Sequence, residues 1–201
     1  KYKIKNFIFS SSASVFGSIK LAKVHENHPK IPSNPYGKSK LIFEKILSER
    51  ATQSDLNAVI LRYFNAAGAD ESGLIGEYHN PETHLIPCIF NNVLGGTDKL
   101  KIFGRNHKTI DGTCVRDYIH VSDLVHAHYL AFERINHLNG CLDYNLGNGN
   151  GFSVLEIIKT CELITKKKVN YFFVDKRRGE PACLVADSSK ANSDLKWITK
   201  H

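Results

Sequence analysis

Residues 6–17 read NFIFSSSASVFG. Phe7, Ile8 and Phe9 make a short apolar run with aromatic and β-branched content, which predicts a buried strand over residues 6–10. Three serines crowd its C-terminal end. In an open α/β sheet, ligands bind in the crevice outside the carboxyl ends of the strands. A serine there can hydrogen-bond a sugar hydroxyl and relay its proton. By itself, a serine-rich strand end is more often a turn than a catalytic site. Its meaning depends on the residues downstream.

One loop later the chain reads SNPYGKSK, residues 33–40. Ser33 or Asn34 can cap a helix with Pro35 in its first turn. Four residues separate Tyr36 from Lys40, so the two side chains share one helix face. A free phenol titrates near ~10 and is a poor base at neutral pH. An ammonium one turn away favours the phenolate, and a bound cation such as an oxidised nicotinamide favours it further. The anion could then take a proton from a substrate hydroxyl while hydride leaves the same carbon. Alone, YxxxK arises by chance in many chains. Placed after a serine-rich strand end, it is far more specific.

Outward from these two segments, strands and helices alternate. The helix from Pro35 continues through LIFEKILSERA, with Leu41, Ile42, Ile46 and Leu47 as an apolar stripe. AVILRYF (58–64) reads as the next strand. Residues 65–82, rich in Gly, Asp and Glu, read as a long loop of a functional kind. HLIPCIFNNVLGG predicts a helix ending at Gly95 and Gly96, and KLKIFG a strand. SDLVHAHYLAFERI predicts a helix that Ser122 or Asp123 could cap. CLDYNLG, a helix capped by Ser153, the strand VNYFFVD and a short last helix in SSKANSDLKW complete the chain. The fold class is therefore α/β with a mainly parallel sheet in the first part. A soft boundary falls after Phe64.

Composition narrows the function classes. The 201 residues are 42% hydrophobic and 23% charged, as in ordinary soluble domains. No apolar run reaches the ~20 residues that cross a bilayer. The opening KYKIKNFIFSSS is basic and then apolar, but its apolar part is too short for a signal peptide. Net charge is +7, yet the positive residues are scattered and do not alternate with aromatics, so nucleic acid is a poor partner. An anionic small molecule suits this charge. The five cysteines are odd in number and widely spaced without CxxC, which predicts free thiols in a reducing cytoplasm. There is no methionine, so the chain is expected to be a piece of a longer protein.

Eight segments, in this order, carry a family resemblance: FIFSSSASVFG, NPYGKSK, LRYFNAAGA, THLIP, LKIFG, DGTCVRDYIHVSDL, YNLGNGNGFSV and RRGEPACLVAD. The chain resembles the extended short-chain dehydrogenase/reductase superfamily, and within it most closely the UDP-glucose 4-epimerase family. DGTCVRDYIHVSDL is the most specific of these segments.

The resemblance implies residues 1–64 as the C-terminal part of an NAD-binding Rossmann-like domain, to which later segments return. Residues 65–201 would be a smaller mixed α/β domain binding a UDP-sugar. It implies Ser12, Tyr36 and Lys40 as catalytic residues, with Tyr36 the base and Lys40 also holding the nicotinamide ribose. Ser10 and Tyr63 would join them around NAD, Tyr63 lying against the nicotinamide. For the substrate it implies Asn65 on a phosphate, Leu85 through backbone contacts to the nucleotide, and Phe103 on the uracil. Arg116 and Arg177 would hold the diphosphate and ribose, Glu180 would stand by the uridine ribose, and His84 stands where many members have asparagine. Leu184, or Cys183 if the alignment slips by one, would gate the sugar pocket. The implied reaction oxidises the sugar 4-hydroxyl, rotates the 4-keto sugar and reduces its other face. A homodimer of the full-length form, using the helix from Pro35, is also implied.

The family's glycine-rich NAD-binding turn and its ribose-binding acid have no counterpart here. The expectation is a fragment that is inactive alone and needs a separately supplied N-terminal segment. Two other readings stay open: a 4-epimerase of another UDP-sugar, and a non-catalytic fragment that binds a nucleotide sugar. Several signals receive ordinary structural readings. GNGNG (147–151) fits no phosphate-loop spacing and reads as a βα turn. His120, His126 and His128 read as no metal site, since the last two point to different helix faces. Arg116 could instead simply pair with an acid.

Overall fold

The computed structural model describes residues 4–19, 23–96 and 99–201. Residues 1–3 of the basic opening and 20–22 of the loop before SNPYGKSK lie outside them.

The predicted first strand is β1 (Asn6–Ser12), extended through all three serines. It leads into a single 3₁₀ turn, Ala13–Val15. After the loop comes α1 (Pro35–Gln53), capped by Asn34, whose Oδ1 accepts the Gly37 N–H at 2.8 Å. Next along the chain are β2 (Asn57–Tyr63), the short β3 (Asn65–Ala67), α2 (Leu85–Val93) and β4 (Leu100–Phe103). The second half holds β5 (Val115–His120), α3 (Val121–Ile135), β6 (Cys141–Leu146) and β7 (Gly151–Ser153). It ends with α4 (Val154–Thr165), β8 (Tyr171–Val174), β9 (Cys183–Leu184) and α5 (Ser189–Leu195).

β1, β2 and β6 form a parallel sheet in that order, with Ser12 opposite Tyr63 and Tyr63 opposite Leu146. Both faces are covered, which is why β2 reads as a nearly continuous apolar run. The twofold alternation of a strand sorts its residues. Ala58 and Ile60 pack with Leu47 of α1, while Val59 and Leu61 pack with Leu124, Ala127, Ala131 and Ile135 of α3. Trp197, fully buried, closes the α3 side with Leu195 of α5 and donates its indole N–H to the Asp123 carbonyl at 2.9 Å. Trp197→Ala is expected to cost about 3–5 kcal/mol, read as a lowered urea midpoint at unchanged slope. A loss under about 1 kcal/mol would contradict this packing.

A second sheet surrounds β5: β3 and β9 pair with it in parallel and β7 antiparallel. β4 and β8 form a separate parallel pair. Its core lies between β4, α2 and α4, from Ile89, Val93, Leu100, Ile102, Ile158 and Cys161. α4 starts with a capping box in which Ser153 and Glu156 satisfy each other's backbone N–H.

Some details depart from the sequence expectations. VRDYIH forms a strand that alternation alone does not announce, and Asn65–Ala67 at the head of the long loop pairs with it. The cap of α3 is His120 rather than Ser122 or Asp123, because its Nδ1 accepts the Ser122 N–H at 3.2 Å. The α1 stripe splits: Leu47 is buried, but Ile42 and Ile46 stay exposed. The sheet covers less of the helix than its apolar width suggests.

Candidate active site

β1 ends where the three serines part company. Alternation turns Ser11 toward α1, where its hydroxyl donates to Glu44 Oε1 at 2.5 Å. Ser10 faces α3 and lies 2.9 Å from His128 Nε2, while His128 Nδ1 lies 2.9 Å from the Leu124 carbonyl. Ser12 caps the 3₁₀ turn, accepting the Ser14 N–H at 3.2 Å. Only Ser12 of the three lines the large cavity beyond the strand ends.

Tyr36 reaches the same cavity from the first turn of α1. Gly37 makes this approach possible. A Cβ there would run into the Ser14 carbonyl, so the absence of a side chain lets the helix start pack on the serine turn. Lys40, one turn on, donates to the Ser10 carbonyl at 3.0 Å. Its Nζ lies 5.6 Å from the centre of the Tyr36 ring and 5.0 Å from that of Phe9. Lys40 and Ser10 thus stand behind Tyr36 and Ser12 rather than on the cavity wall. Tyr63, at the end of β2, lines the cavity. Burial pushes its phenol up, the nearby Tyr36 acts in the same direction, and a hydrogen bond with Ser10 opposes them.

The cavity has a volume of about 1390 Å³. Besides Ser12, Tyr36 and Tyr63, the expected residues Asn65, His84, Arg116, Arg177, Glu180 and Leu184 line it. Leu85 and Phe103 line an adjoining hollow of about 1100 Å³ that shares Asn65, His84, Arg116, Arg177 and Glu180 with the first. Of the two alternatives at the gate position, Leu184 is on the wall and Cys183 is not among its residues.

Two cationic groups are engaged locally. Arg116 Nη2 lies 3.1 Å from Glu180 Oε1, and its Nη1 donates to the Val115 carbonyl at 2.8 Å. Its acid partner is therefore Glu180. The guanidinium of Arg177 stacks on Phe103, 3.9 Å from the ring centre. A planar base would compete with it for that face.

Asp117, next to Arg116 in sequence, has a different task. Alternation along β5 buries it completely, where it accepts backbone N–H groups from Asn148, Gly149 and Ala186 at 2.8–3.0 Å. These bonds pin the GNGNG turn beside β9, a structural role for the glycines. Burial pushes the Asp117 carboxyl up, and the three donors only partly offset it.

Some participants escaped sequence reasoning. His128 was legible only as one of several histidines on a helix; its contact with Ser10 needs α3 laid against β1. Ser33 lines the cavity and donates to the Gly179 carbonyl at 2.8 Å, linking segments 146 residues apart. His120, His126 and His128 do not converge: His128 engages Ser10 and the His120 ring lies 4.3 Å from that of His201. A different group, Glu77, His79, Glu82 and His84, does converge at the cavity rim.

Comparison with known proteins agrees with this architecture. Residues 1–147 match the model of the NAD dependent epimerase/dehydratase family. The UDP-glucose 4-epimerase of Halalkalibacterium halodurans is 44% identical over 201 residues, all of this chain and 60% of that protein. A UDP-glucose 4-epimerase from Bifidobacterium longum, solved with NAD+ and UDP, superposes with a TM-score of 0.93 at 40% identity over 98% of this chain and 59% of its own. One from Stenotrophomonas maltophila, with bound NAD and formylated UDP-arabinopyranose, gives 0.93 at 40% identity, with the same shares covered. The chain spans about 60% of the length of the curated relatives it matches. No helix among the described residues is long and apolar enough to cross a membrane. With that family model matched over residues 1–147 and relatives 40–44% identical along almost the whole chain, the chain belongs to the NAD dependent epimerase/dehydratase family.

Proposed function

We propose that this chain carries the acid–base group and the substrate-binding wall of a UDP-glucose 4-epimerase. The observation that supports this most is one shared cavity. Ser12, Tyr36, Arg116 and Arg177 all line it. Tyr36 takes the proton of the sugar 4-hydroxyl, directly or through Ser12, and returns it after the 4-keto sugar has turned over. Arg116 and Arg177 hold the diphosphate and ribose end through planar forks of donors. Asn65 binds a phosphate, Leu85 offers backbone contacts, Phe103 carries the uracil, and Glu180 and His84 border the nucleotide. An anchored nucleotide and a loosely held sugar allow the rotation.

NAD, which the relatives' structures contain, would accept hydride from the sugar carbon and give it back. The donor set suits its ribose and nicotinamide. The Lys40 ammonium lies 5.6 Å from the centre of the Tyr36 ring and is tied to the Ser10 carbonyl at a parallel strand end, with Tyr63 at the end of the neighbouring strand. Residues 1–64 would form part of the unit that binds it, with β6, α3 and α5 completing the layers. Residues 65–201 would mainly bind the UDP-sugar. The exposed Ile42 and Ile46 of α1 would lie at a homodimer contact of the full-length form, in a cytoplasmic setting where the five cysteines stay reduced.

The direct test is calorimetric titration of the chain with UDP. Arg116→Ala or Arg177→Ala is expected to weaken binding about 10- to 100-fold, as for lost hydrogen bonds between charged groups. Equal affinities for UDP and uridine would overturn the diphosphate assignment. Turnover is expected only when a relative's N-terminal segment is supplied as a second chain, and turnover by this chain alone would contradict that.

A second reading concerns the sugar. Leu184 on the cavity wall leaves room that a bulkier side chain would fill, which favours N-acetylated hexoses. Incubating the completed enzyme with UDP-galactose, UDP-N-acetylgalactosamine and UDP-glucuronate separates these options by product.

A further inference from the structure

We propose that Glu77, His79, Glu82 and His84 form a binding site for a divalent transition metal such as Zn²⁺. One ligand atom from each of the four residues can be chosen so that all lie within 4.8 Å of one another. His79 Nδ1 is 3.0 Å from Glu77 Oε1 and 3.9 Å from Glu82 Oε2. His84 Nδ1 is 2.7 Å from Glu77 Oε1 and 3.2 Å from Glu82 Oε1. Tetrahedral ligands about 2.0 Å from a zinc ion stand about 3.3 Å apart, in the middle of these separations. Small movements of exposed side chains would complete the sphere.

The donor chemistry selects the ion. Two imidazole nitrogens with two carboxylates suit Zn²⁺, Co²⁺ or Ni²⁺, whereas Mg²⁺ and Ca²⁺ take all-oxygen sets. The charge balance points the same way. Two carboxylates converge here, and a divalent ion held between them compensates both charges. One donor is already oriented: Glu82 Oε1 accepts the Thr83 and His84 backbone N–H groups at 2.7 and 2.8 Å.

A second, independent observation concerns the segment itself. Leu74, Ile75 and Tyr78 are all largely exposed, so apolar burial does little to set its shape. What converges instead is polar and metal-ligating, as in small units whose order comes from a bound ion. All four ligands fall within eight residues, immediately before α2. His84 is the residue that precedes α2 and also lines the cavity, so an occupied site would fix this part of its wall. The inference shares only His84 with the residues assigned to the epimerase reading and does not depend on Tyr36 or on a bound nucleotide.

The test is titration of the chelator-treated chain with Co²⁺, followed by its visible d–d absorption, and then displacement by Zn²⁺. One equivalent is expected to bind with a four-coordinate spectrum. His79→Ala and the isosteric Glu77→Gln are each expected to weaken binding by about tenfold or more, with unchanged far-ultraviolet circular dichroism. Removing a different close histidine pair, His25 and His28, whose rings lie 3.8 Å apart, should leave the affinity unchanged. Absence of saturable binding overturns the proposal. So does a His79→Ala or Glu77→Gln variant that folds and binds Co²⁺ like the parent, since the four groups would then be an ion-pair cluster only.

Discussion

Tyr36→Phe in the completed enzyme is expected to lower kcat for sugar epimerisation by about 10²–10⁴-fold, the range spanned by a positioned acid–base group. The change removes one oxygen from a ring that is half exposed at the cavity, so stability and UDP affinity should hardly change. That split distinguishes a chemical role from a packing one. The Tyr36 ring sits above the Lys40 ammonium, and Lys40 is itself tied to the Ser10 carbonyl. Lys40→Met should therefore also lower kcat, with a changed pH profile. If Tyr36→Phe keeps more than about a tenth of the parental kcat, the proton moves through another group.

Arg62→Leu is expected to destabilise the chain as strongly as the loss of Trp197. Arg62 is fully buried next to the C-terminal end of β2, directly after its apolar run, where its Nε and Nη2 donate to both Glu44 oxygens at 2.8 Å. Nη1 pairs with Asp143 Oδ2 at 2.7 Å. Removing the cation leaves the Glu44 carboxylate buried and unpaired, a loss of about 3–5 kcal/mol. The double variant Arg62→Leu with Glu44→Leu should recover most of it, because both charges then leave the interior together. Urea denaturation of the two variants checks the contrast. A single variant as stable as the double one would show that the pair contributes little.

The same network predicts an acid limit. Burial raises the Asp143 carboxyl, but Arg62 and Lys190 more than offset it, and the net position is below the usual 3.8. A carboxyl lowered in the folded state contributes stability that is complete above its unfolded value. That contribution disappears as pH falls through the folded value. Asp143 should therefore contribute nothing to pH dependence near neutrality and should destabilise the chain progressively below about pH 4. Asp143→Asn should flatten the acid limb of a stability–pH curve, and an unchanged limb would remove Asp143 from this role.

The sequence by itself determined the local elements and the chemistry they could carry. Short apolar runs of three residues (Phe7–Phe9) and four (Ala58–Leu61) placed β1 and β2. Ser153 announced the start of α4, and Ser33 or Asn34 with Pro35 the start of α1. YxxxK put a phenol and an ammonium on one face. All of these depend on neighbours within a few residues, where backbone sterics and helical or strand periodicity decide the outcome.

Tertiary structure decided what those elements meet. Arg62 sits beside an apolar run, and its partners Glu44 and Asp143 lie 18 and 81 positions away in the sequence. The same holds for Ser10 with His128, Arg116 with Glu180, and Asp117 with the glycine turn. Whether Ile42 and Ile46 would be covered also lay beyond the helix pattern, since periodicity gives the width of an apolar face but not the width of what packs on it. Side-chain hydrogen bonds and ion pairs act over about 3 Å, and only the folded chain brings such distant residues that close.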